Sequence, residues 1–283
     1  MALQPSGLIT LSDIQDEFGG VNPISLSEYY RGGAYVTDNN TGVPTSGTNK
    51  FSFFYNAVRQ FSFTISSNVQ EAELRTLALA AGWDGVAPIA ATIAEGVWLW
   101  SDSTSSGGLY VNNVPSGSII TNYGYIIGKG GNGGYRGEAP QAGGPAIVNN
   151  VENLTILNMA GAYIAGGGGG GAGAVDYGGD DQGHGGGGAG GGNGGGQLGD
   201  RSGGTGGAIG EAGTDGQGGY STGGGQGGGA GGGGGGGWGA KGGDAYARTG
   251  GAGGKAIDEA YVDWMTPSSL TLTNNGTIYG AVA

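Results

Sequence analysis

Residues 118–128 read SIITNYGYIIG, and similar text recurs at 154–166 (LTILNMAGAYIAG) and at 270–280 (LTLTNNGTIYG). Each copy is an alternating strand, a turn led by asparagine, a second alternating piece and a glycine. A second repeated motif, GGPAI at 143–147 and GGKAI at 253–257, precedes the second and third copies. Such self-similarity predicts a repeated structural unit rather than random low complexity.

Glycine surrounds these copies and supplies 75 of the 283 residues, most of them after residue 125. Runs such as GGGQGGGAGGGGGGGWG at 223–239 lack the triplet period of collagen. They also disfavour an α-helix by about 1 kcal/mol per glycine relative to alanine. A flexible linker does not explain repeated strands at both ends. The remaining candidate is the left-handed extended helix of polyglycine II, whose outward amides can pair with neighbouring helices on all sides.

These patterns together predict a mainly β or irregular fold with three parts. The parts are a small N-terminal helical anchor, a small α+β unit, and a polyglycine-II helix bundle, or sandwich, flanked by short β-strands. The expected boundaries are 1–50 for an attachment segment and linker, 51–125 for the α+β unit, and 126–283 for the glycine-rich domain.

The α+β unit is expected to place one helix on a small sheet. Period-two alternation of apolar residues predicts its strands, and a capping signal followed by a helix-forming run predicts its helix. The predicted elements are strands at 51–53 and 61–65, a helix that begins near 68–71 and ends at Gly82, and two strands within 87–100.

The first forty residues carry two capping boxes, SDIQ at 12–15 and SLSE at 25–28, each followed by paired glycines. Helices this short are not stable alone, so their side chains must pack on each other or on a partner protein. Residues 36–49 are predicted to be an exposed linker. The candidate docking residues are Ile14, Phe18, Leu26, Tyr29, Tyr30 and Arg31.

Charge and composition exclude several classes of function. The net charge is -12, from 22 acidic and 10 basic residues without a local Lys/Arg cluster, so nucleic-acid binding is not expected. The absence of cysteine excludes disulfides and thiolate metal sites. No signal-peptide pattern and no apolar run of membrane-spanning length is present, so membrane insertion is not expected.

Catalytic signatures are weak. His184 is the single histidine and lies between two glycines, a poor setting for a precise catalytic geometry. The adjacent carboxylates of Asp180 and Asp181 are more typical of a solvated turn than of a glycosidase pair. Patterns such as GxGxxG do not indicate dinucleotide binding in a chain this rich in glycine, because they occur many times over. The sequence therefore predicts no enzyme activity, no cofactor and no metal.

Short polar and aromatic inserts interrupt the glycine tracts and are the best candidates for recognition. Tyr, Trp and Arg dominate interface hot spots, and Tyr with Gly, Ser and Asn is typical of antibody paratopes. The alternative is that the aromatic residues form an apolar lid on the bundle. The candidates are Tyr135, Arg136, Asp176, Tyr177, His184, Arg201, Tyr220, Trp238, Lys241, Tyr246 and Arg248.

Two groups of motifs resemble phage tail proteins. SDIQDEFGGVNPISLSEYYRGG at 12–33 is similar to an N-terminal segment common in bacteriophage tail proteins. The unit at 61–125, followed by GKGGNGG, GGPAI, NMAGAYIAGGGGGG and NNGTIYG, is similar to glycine-rich phage tail-fibre proteins. The alternation of inserts and glycine tracts resembles the receptor-binding tip adhesins of T-even-like long tail fibres.

This resemblance implies sandwiched polyglycine helices, distal loops that determine host range, and a bacterial receptor that is an outer-membrane protein or a surface polysaccharide. The sequence departs from the T-even tip adhesins because it carries an N-terminal module of its own. This module suggests that the chain docks directly on another tail or baseplate protein.

The expected protein is thus a non-catalytic adhesin of the virion tail, made in the host cytoplasm and released on lysis. Its expected partners are a bacterial surface receptor and other tail or baseplate proteins, and homo-oligomer formation is left open. The rival interpretations are a purely structural tail component, an ice-binding protein and a depolymerase. Ice binding would need sustained rows of Thr or Ala within the tracts, and none is present.

Overall fold

Short strands dominate the computed structural model, which describes residues 3–37, 40–134, 139–173, 235–244, 248–259 and 270–283. This part of the chain contains two α-helices, α1 (Leu11–Phe18) and α2 (Leu74–Ala80), and two 3-10 helices, Leu26–Glu28 and Phe51–Phe54. The strands are β1 (Phe61–Ile65), β2 (Val69–Gln70), β3 (Ala72–Glu73), β4 (Ile89–Ile93), β5 (Trp98–Trp100), β6 (Leu109–Val111), β7 (Ile119–Asn122), β8 (Tyr125–Ile127), β9 (Ile147–Asn149), β10 (Thr155–Asn158), β11 (Tyr163–Ala165), β12 (Ile257–Glu259), β13 (Thr271–Asn274) and β14 (Thr277–Tyr279).

The strands form three sheets that the chain visits in turn. The first sheet has the order β1-β4-β7-β10-β13, the second β14-β11-β8-β5-β2 and the third β12-β9-β6-β3. Every strand pair in them is parallel. Each coil of the chain therefore adds one strand to each sheet and stacks on the coil before it. In the last coil, residues 281–283 take the third position and hydrogen-bond with residues 256–259.

The core lies inside these coils, where alternate residues of each strand face inward. The three copies recognised in the sequence occupy equivalent positions in successive coils, so the predicted repeated unit is confirmed. Ile and Leu stack on each other in register because every coil repeats the same alternation. The inward columns are Ile120, Ile156 and Leu272 in the first sheet, Ile126, Ile164 and Ile278 in the second, and Leu109, Ile147 and Ile257 in the third.

A ladder of asparagines closes the turn between the first and second sheets. Asn122, Asn158 and Asn274 are register partners at the ends of β7, β10 and β13. The Nδ2 of Asn122 donates to Oδ1 of Asn158 (2.9 Å), and Nδ2 of Asn158 donates to Oδ1 of Asn274 (2.8 Å). The Oδ1 of Asn122 also accepts from the amide of Gly124 at 3.0 Å. The asparagine-led turns of the sequence are thus one hydrogen-bonded column.

The predicted architecture of a separate α+β unit followed by a polyglycine-II helix bundle is wrong. The chain is rich in β-structure, but β1–β8 and β9–β14 belong to the same three sheets, which continue past residue 125. The short strands supply the core, because they carry the aliphatic side chains that glycine lacks. The glycine-rich sequence falls in two of the connections from the second sheet to the third, at 128–146 and 166–256.

Several local predictions are confirmed. Strands β1, β4 and β5 lie where alternation places them, and helix α2 ends close to the predicted Gly82. The predicted start of this helix near 68–71 is wrong, because Val69–Gln70 and Ala72–Glu73 are strands β2 and β3. The second capping box is formed, since Glu28 Oε1 accepts from the amide of Ser25 at 3.0 Å. The first box is shifted, because Thr10 rather than Ser12 caps α1 together with Asp13. The predicted strand at 51–53 is wrong, because these residues form a 3-10 helix.

The N-terminal helices pack into a core of their own. Residues 36–49, predicted to be an exposed linker, contribute two of its buried side chains. The core residues are Ile9, Ile14, Phe18, Tyr29, Val36, Val43, Phe54 and Ala57. We call residues 3–57 the N-terminal unit.

Candidate functional site

In the described part of residues 128–256, five stretches lie between the second sheet and the third, and we call them the glycine segments. Residues 128–134 leave β8, and 139–146 lead into β9. Residues 166–173 leave β11, and 248–256 lead into β12. Residues 235–244 lie between these last two along the chain.

The segment at 166–173 lies at the centre and hydrogen-bonds to its neighbours in a three-residue rotation. Backbone groups of this segment bond to all four other glycine segments, so these buried polar atoms are paired without side chains. The amides of Gly166, Gly169 and Ala172 donate to Tyr279, Ala240 and Gly243, those of Gly167 and Gly170 donate to Gly144 and Gln141, and the carbonyls of Ala165, Gly168 and Gly171 accept from Gly128, Gly131 and Gly134.

This close approach excludes side chains from the centre. A Cβ on Gly167 would lie less than 3.0 Å from the carbonyl oxygen of Lys129, and a Cβ on Gly170 would do the same at Asn132. Both obstacles are backbone atoms, which cannot rotate away. The residues at these positions must therefore be glycine for the segments to stay paired.

The far ends of the glycine segments meet at one place, which we call the distal end. The amide of Gly134 donates to the carbonyl of Gly171 (2.9 Å), and the amide of Ala172 donates to Gly243 (3.0 Å). The amide of Gly236 donates to Gly169 at 2.8 Å, which brings residue 235 to the same level. The described residues that flank 135–138, 174–234 and 245–247 thus converge at the distal end.

Most predicted recognition residues fall in those three stretches. The residues outside the described part of the chain are Tyr135, Arg136, Asp176, Tyr177, His184, Arg201, Tyr220 and Tyr246. Trp238, Lys241 and Arg248 are described.

Trp238 lies at the opposite end of the glycine segments, against the second sheet. It belongs to a turn closed by the amide of Ala240 on the carbonyl of Gly237. Its ring centroid is 4.9 Å from that of Tyr163 and 6.1 Å from that of Tyr279, and the side chain is 1% exposed. Trp238 therefore anchors residues 235–244 on the outer face of the sheet, where it offers no surface to a receptor.

Lys241 takes part in an ion pair near the distal end. Its Nζ donates to Oδ1 of Asp244 at 2.6 Å, and the same oxygen accepts from the amide of Gly250 at 2.8 Å. The hydrogen bond from Lys241, followed by that from Gly250, lowers the pKa of Asp244. Arg248 is partly buried and lies two residues before Gly250.

A row of aromatic rings covers the outer face of the second sheet. Trp98, Tyr125 and Tyr163 are register partners, with ring centroids 4.5 Å and 4.3 Å apart. Burial, and then the neighbouring tyrosines Tyr125 and Tyr279, raise the pKa of Tyr163. Leu99 faces inward from the same strand as Trp98, so the two faces of β5 have different surroundings. The row packs the glycine segments onto the coils.

The predicted docking residues divide into two groups. Ile14, Phe18 and Tyr29 are buried in the core of the N-terminal unit. The partly exposed group is Leu26, Tyr30 and Arg31, and the Nε of Arg31 donates to the carbonyl of Val43 at 3.1 Å. Two apolar residues that no pattern singled out, Leu8 and Val21, are 82% and 81% exposed on the same unit.

Other kinds of site are not formed by the described residues. Within these ranges no group of three or more His, Asp or Glu side chains is placed to hold a metal ion. None of the helices described has the length and apolar character needed to cross a bilayer. A cavity of about 190 Å³ lies in the N-terminal unit between Asn40, Phe53 and Val58, and the amide groups of Asn40 at its edge bond to the backbone of Val58.

The described residues form a stack of parallel coils from which paired glycine segments run to one end. Residues 60–283 match the family model described as phage tail fibre adhesin Gp38, and the chain belongs to this family. It is therefore one of the tail fibre proteins of phage virions. The match begins one residue before β1, so the N-terminal unit lies outside it.

Among solved structures, the chain is similar to one in the crystal structure of the gp37-gp38 adhesin tip complex of the bacteriophage S16 long tail fiber. The identity is 22%, the TM-score is 0.52, and the similarity covers 84% of this chain and 88% of the other. At this identity the likeness concerns the fold alone. No curated protein matches the chain.

Proposed function

We propose that this chain attaches a phage to its host by binding a bacterial surface receptor through the distal end, without catalysing a reaction. The observation that carries the proposal is the convergence of the described flanks of 135–138, 174–234 and 245–247 at that end. These stretches contain most of the tyrosines and arginines predicted to contact the receptor. The receptor class is an outer-membrane protein or a surface polysaccharide.

The glycine segments suit this role because they are stiff. Ordering a loop on binding lowers affinity, so a recognition surface benefits from a base that is already fixed. The amides of Gly166, Gly167, Gly169, Gly170 and Ala172 in the central segment donate to backbone carbonyls of neighbouring stretches. Inserts that leave such a base can vary in sequence without disturbing the coils beneath.

We propose that the N-terminal unit docks on another tail fibre protein. The unit has its own core, lies outside the family match, and exposes Leu8 and Val21. The similar solved structure is a gp37-gp38 complex. A Gp37-like fibre protein is therefore the partner that we propose.

Adsorption competition tests the attachment role. Host cells are incubated with the purified full-length chain, and phage adsorption is then measured. We expect inhibition that rises with protein concentration, and weaker inhibition by Tyr177→Ala and Tyr220→Ala. Tyr123→Ala is the matched control, because Tyr123 is an exposed tyrosine in the turn after β7, remote from the distal end.

Failure of the folded wild-type chain to inhibit adsorption would contradict the attachment role. If the two tyrosine variants instead inhibit as well as wild type but block virion assembly, the structural alternative gains support.

A further inference from the structure

We infer that Asp244 is a positioning residue, whose carboxylate clamps residues 241, 244 and 250 together and so fixes how Arg248 leaves the distal end. The consequence for receptor binding rests on the proposed function, whereas the clamp itself can be tested separately.

The clamp joins an outgoing and a returning segment through one oxygen. Oδ1 of Asp244 accepts from Nζ of Lys241 and from the amide of Gly250. Directly below, the amide of Gly242 donates to the carbonyl of Gly251 at 2.8 Å. Hydrogen bonds to an ionised carboxylate are stronger than neutral ones. Asp244 therefore adds a side-chain link between the two segments to the backbone bond between Gly242 and Gly251.

The clamp assigns Lys241 a different role from the predicted receptor contact. Its ammonium is already bound to Asp244, and the two side chains are 39% and 58% exposed. An exposed ion pair adds little to global stability, because water screens it. Loss of Asp244 should therefore loosen the link between residues 244 and 250 and leave the three sheets folded.

A second ion pair provides a matched control. Nζ of Lys255 lies 2.6 Å from Oδ1 of Asp258, with the same spacing along the chain and side chains that are 46% and 37% exposed. This pair is at the start of β12, away from the distal end, and spans no returning segment. Replacing Asp258 removes the same kind of charge interaction without opening a clamp.

Limited proteolysis of the full-length chain tests the clamp. Trypsin cleaves after Arg248, and local opening governs its access to that bond. We expect cleavage at Arg248 to be about 5-fold faster in Asp244→Ala than in wild type, because local opening is uncoupled from global unfolding. Asp258→Ala should match wild type, and both variants should keep the wild-type melting temperature.

Asp244→Asn keeps an acceptor for the amide of Gly250 but loses the charge that binds Lys241. If Asp244→Ala lowers the melting temperature, the cleavage rate of Asp244→Asn is compared with that of wild type instead. Equal cleavage in all variants would overturn the clamp. Faster cleavage with unchanged inhibition of phage adsorption would overturn the positioning role and leave the adhesin proposal intact. Faster cleavage in a chain whose wild type does not inhibit adsorption would uphold the clamp and overturn the proposed function.

Discussion

Asn158 shows at the scale of one side chain how the coils keep their register. It is fully buried, accepts from Asn122, and donates to Asn274 and to the carbonyl of Thr277. A one-residue slip of β10 would break all three bonds and turn Ile156 outward. Buried amides therefore select one stacking out of several that apolar contacts alone would tolerate.

Replacing Asn158 with Ala should destabilise the coils. The substitution removes the Oδ1 that accepts from Nδ2 of Asn122, which is fully buried, and a buried group left unsatisfied costs about 1–3 kcal/mol. Denaturant unfolding measures the loss. Asn275→Ala is the control, because Asn275 is exposed and its backbone bond to Asn158 survives. Equal stability of Asn158→Ala and Asn275→Ala would show that the ladder does not hold the coils.

The asparagine column could be predicted from the sequence only in part. Asn122, Asn158 and Asn274 stand at the same place in the three copies, and this position marked the turns. Their mutual bonds could not be inferred, because 116 positions separate Asn158 from Asn274 along the chain. Local periodicity identifies strands of three or four residues, whereas their assignment to three sheets depends on such distant pairing.

At the scale of elements, the role of Trp238 depends on which end of the glycine segments its turn occupies. Trp238 lies in a turn within a glycine-rich stretch. The sequence does not tell whether that turn lies at the distal end or against the second sheet, because glycine carries no side chain that marks a face. The row of Trp98, Tyr125 and Tyr163 supplies the surface that receives Trp238.

Trp238→Ala should therefore lower stability rather than abolish recognition directly. Truncating a buried Trp costs about 3–5 kcal/mol. Trp238→Phe should cost much less, because no acceptor among the described residues meets Nε1 of Trp238. Denaturant unfolding and adsorption competition, measured on both variants, separate the two roles. A Trp238→Phe variant of normal stability that no longer inhibits adsorption would indicate that the indole contacts the receptor.

The whole molecule joins two cores through a short, hydrogen-bonded junction at residues 58–60. The amide of Val58 donates to Oδ1 of Asn40, and the amide of Arg59 donates to Oε1 of Glu17, both at 2.8 Å. The guanidinium of Arg59 lies 3.3 Å from Oδ2 of Asp84, on the side of the coils. The N-terminal unit is thus attached to the coils by side chains from both sides of the junction.

This arrangement predicts that docking on the virion and recognition of the host can be separated by mutation. Leu8→Lys with Val21→Lys places charge on two exposed apolar residues, and exposed substitutions usually change stability by less than about 0.5 kcal/mol. We expect virions made with this double variant to lack the adhesin, because a desolvated ammonium opposes docking on an apolar partner surface. The purified double variant should still inhibit adsorption as well as wild type.

Asp244→Ala provides the reciprocal case, with normal incorporation into virions and weaker inhibition. Immunoblots of purified virions and adsorption competition measure the two properties side by side. Normal incorporation of the Leu8 and Val21 variant would place the docking surface elsewhere on the molecule. Loss of both properties in that variant, at an unchanged melting temperature, would mean that the N-terminal unit and the distal end do not act independently.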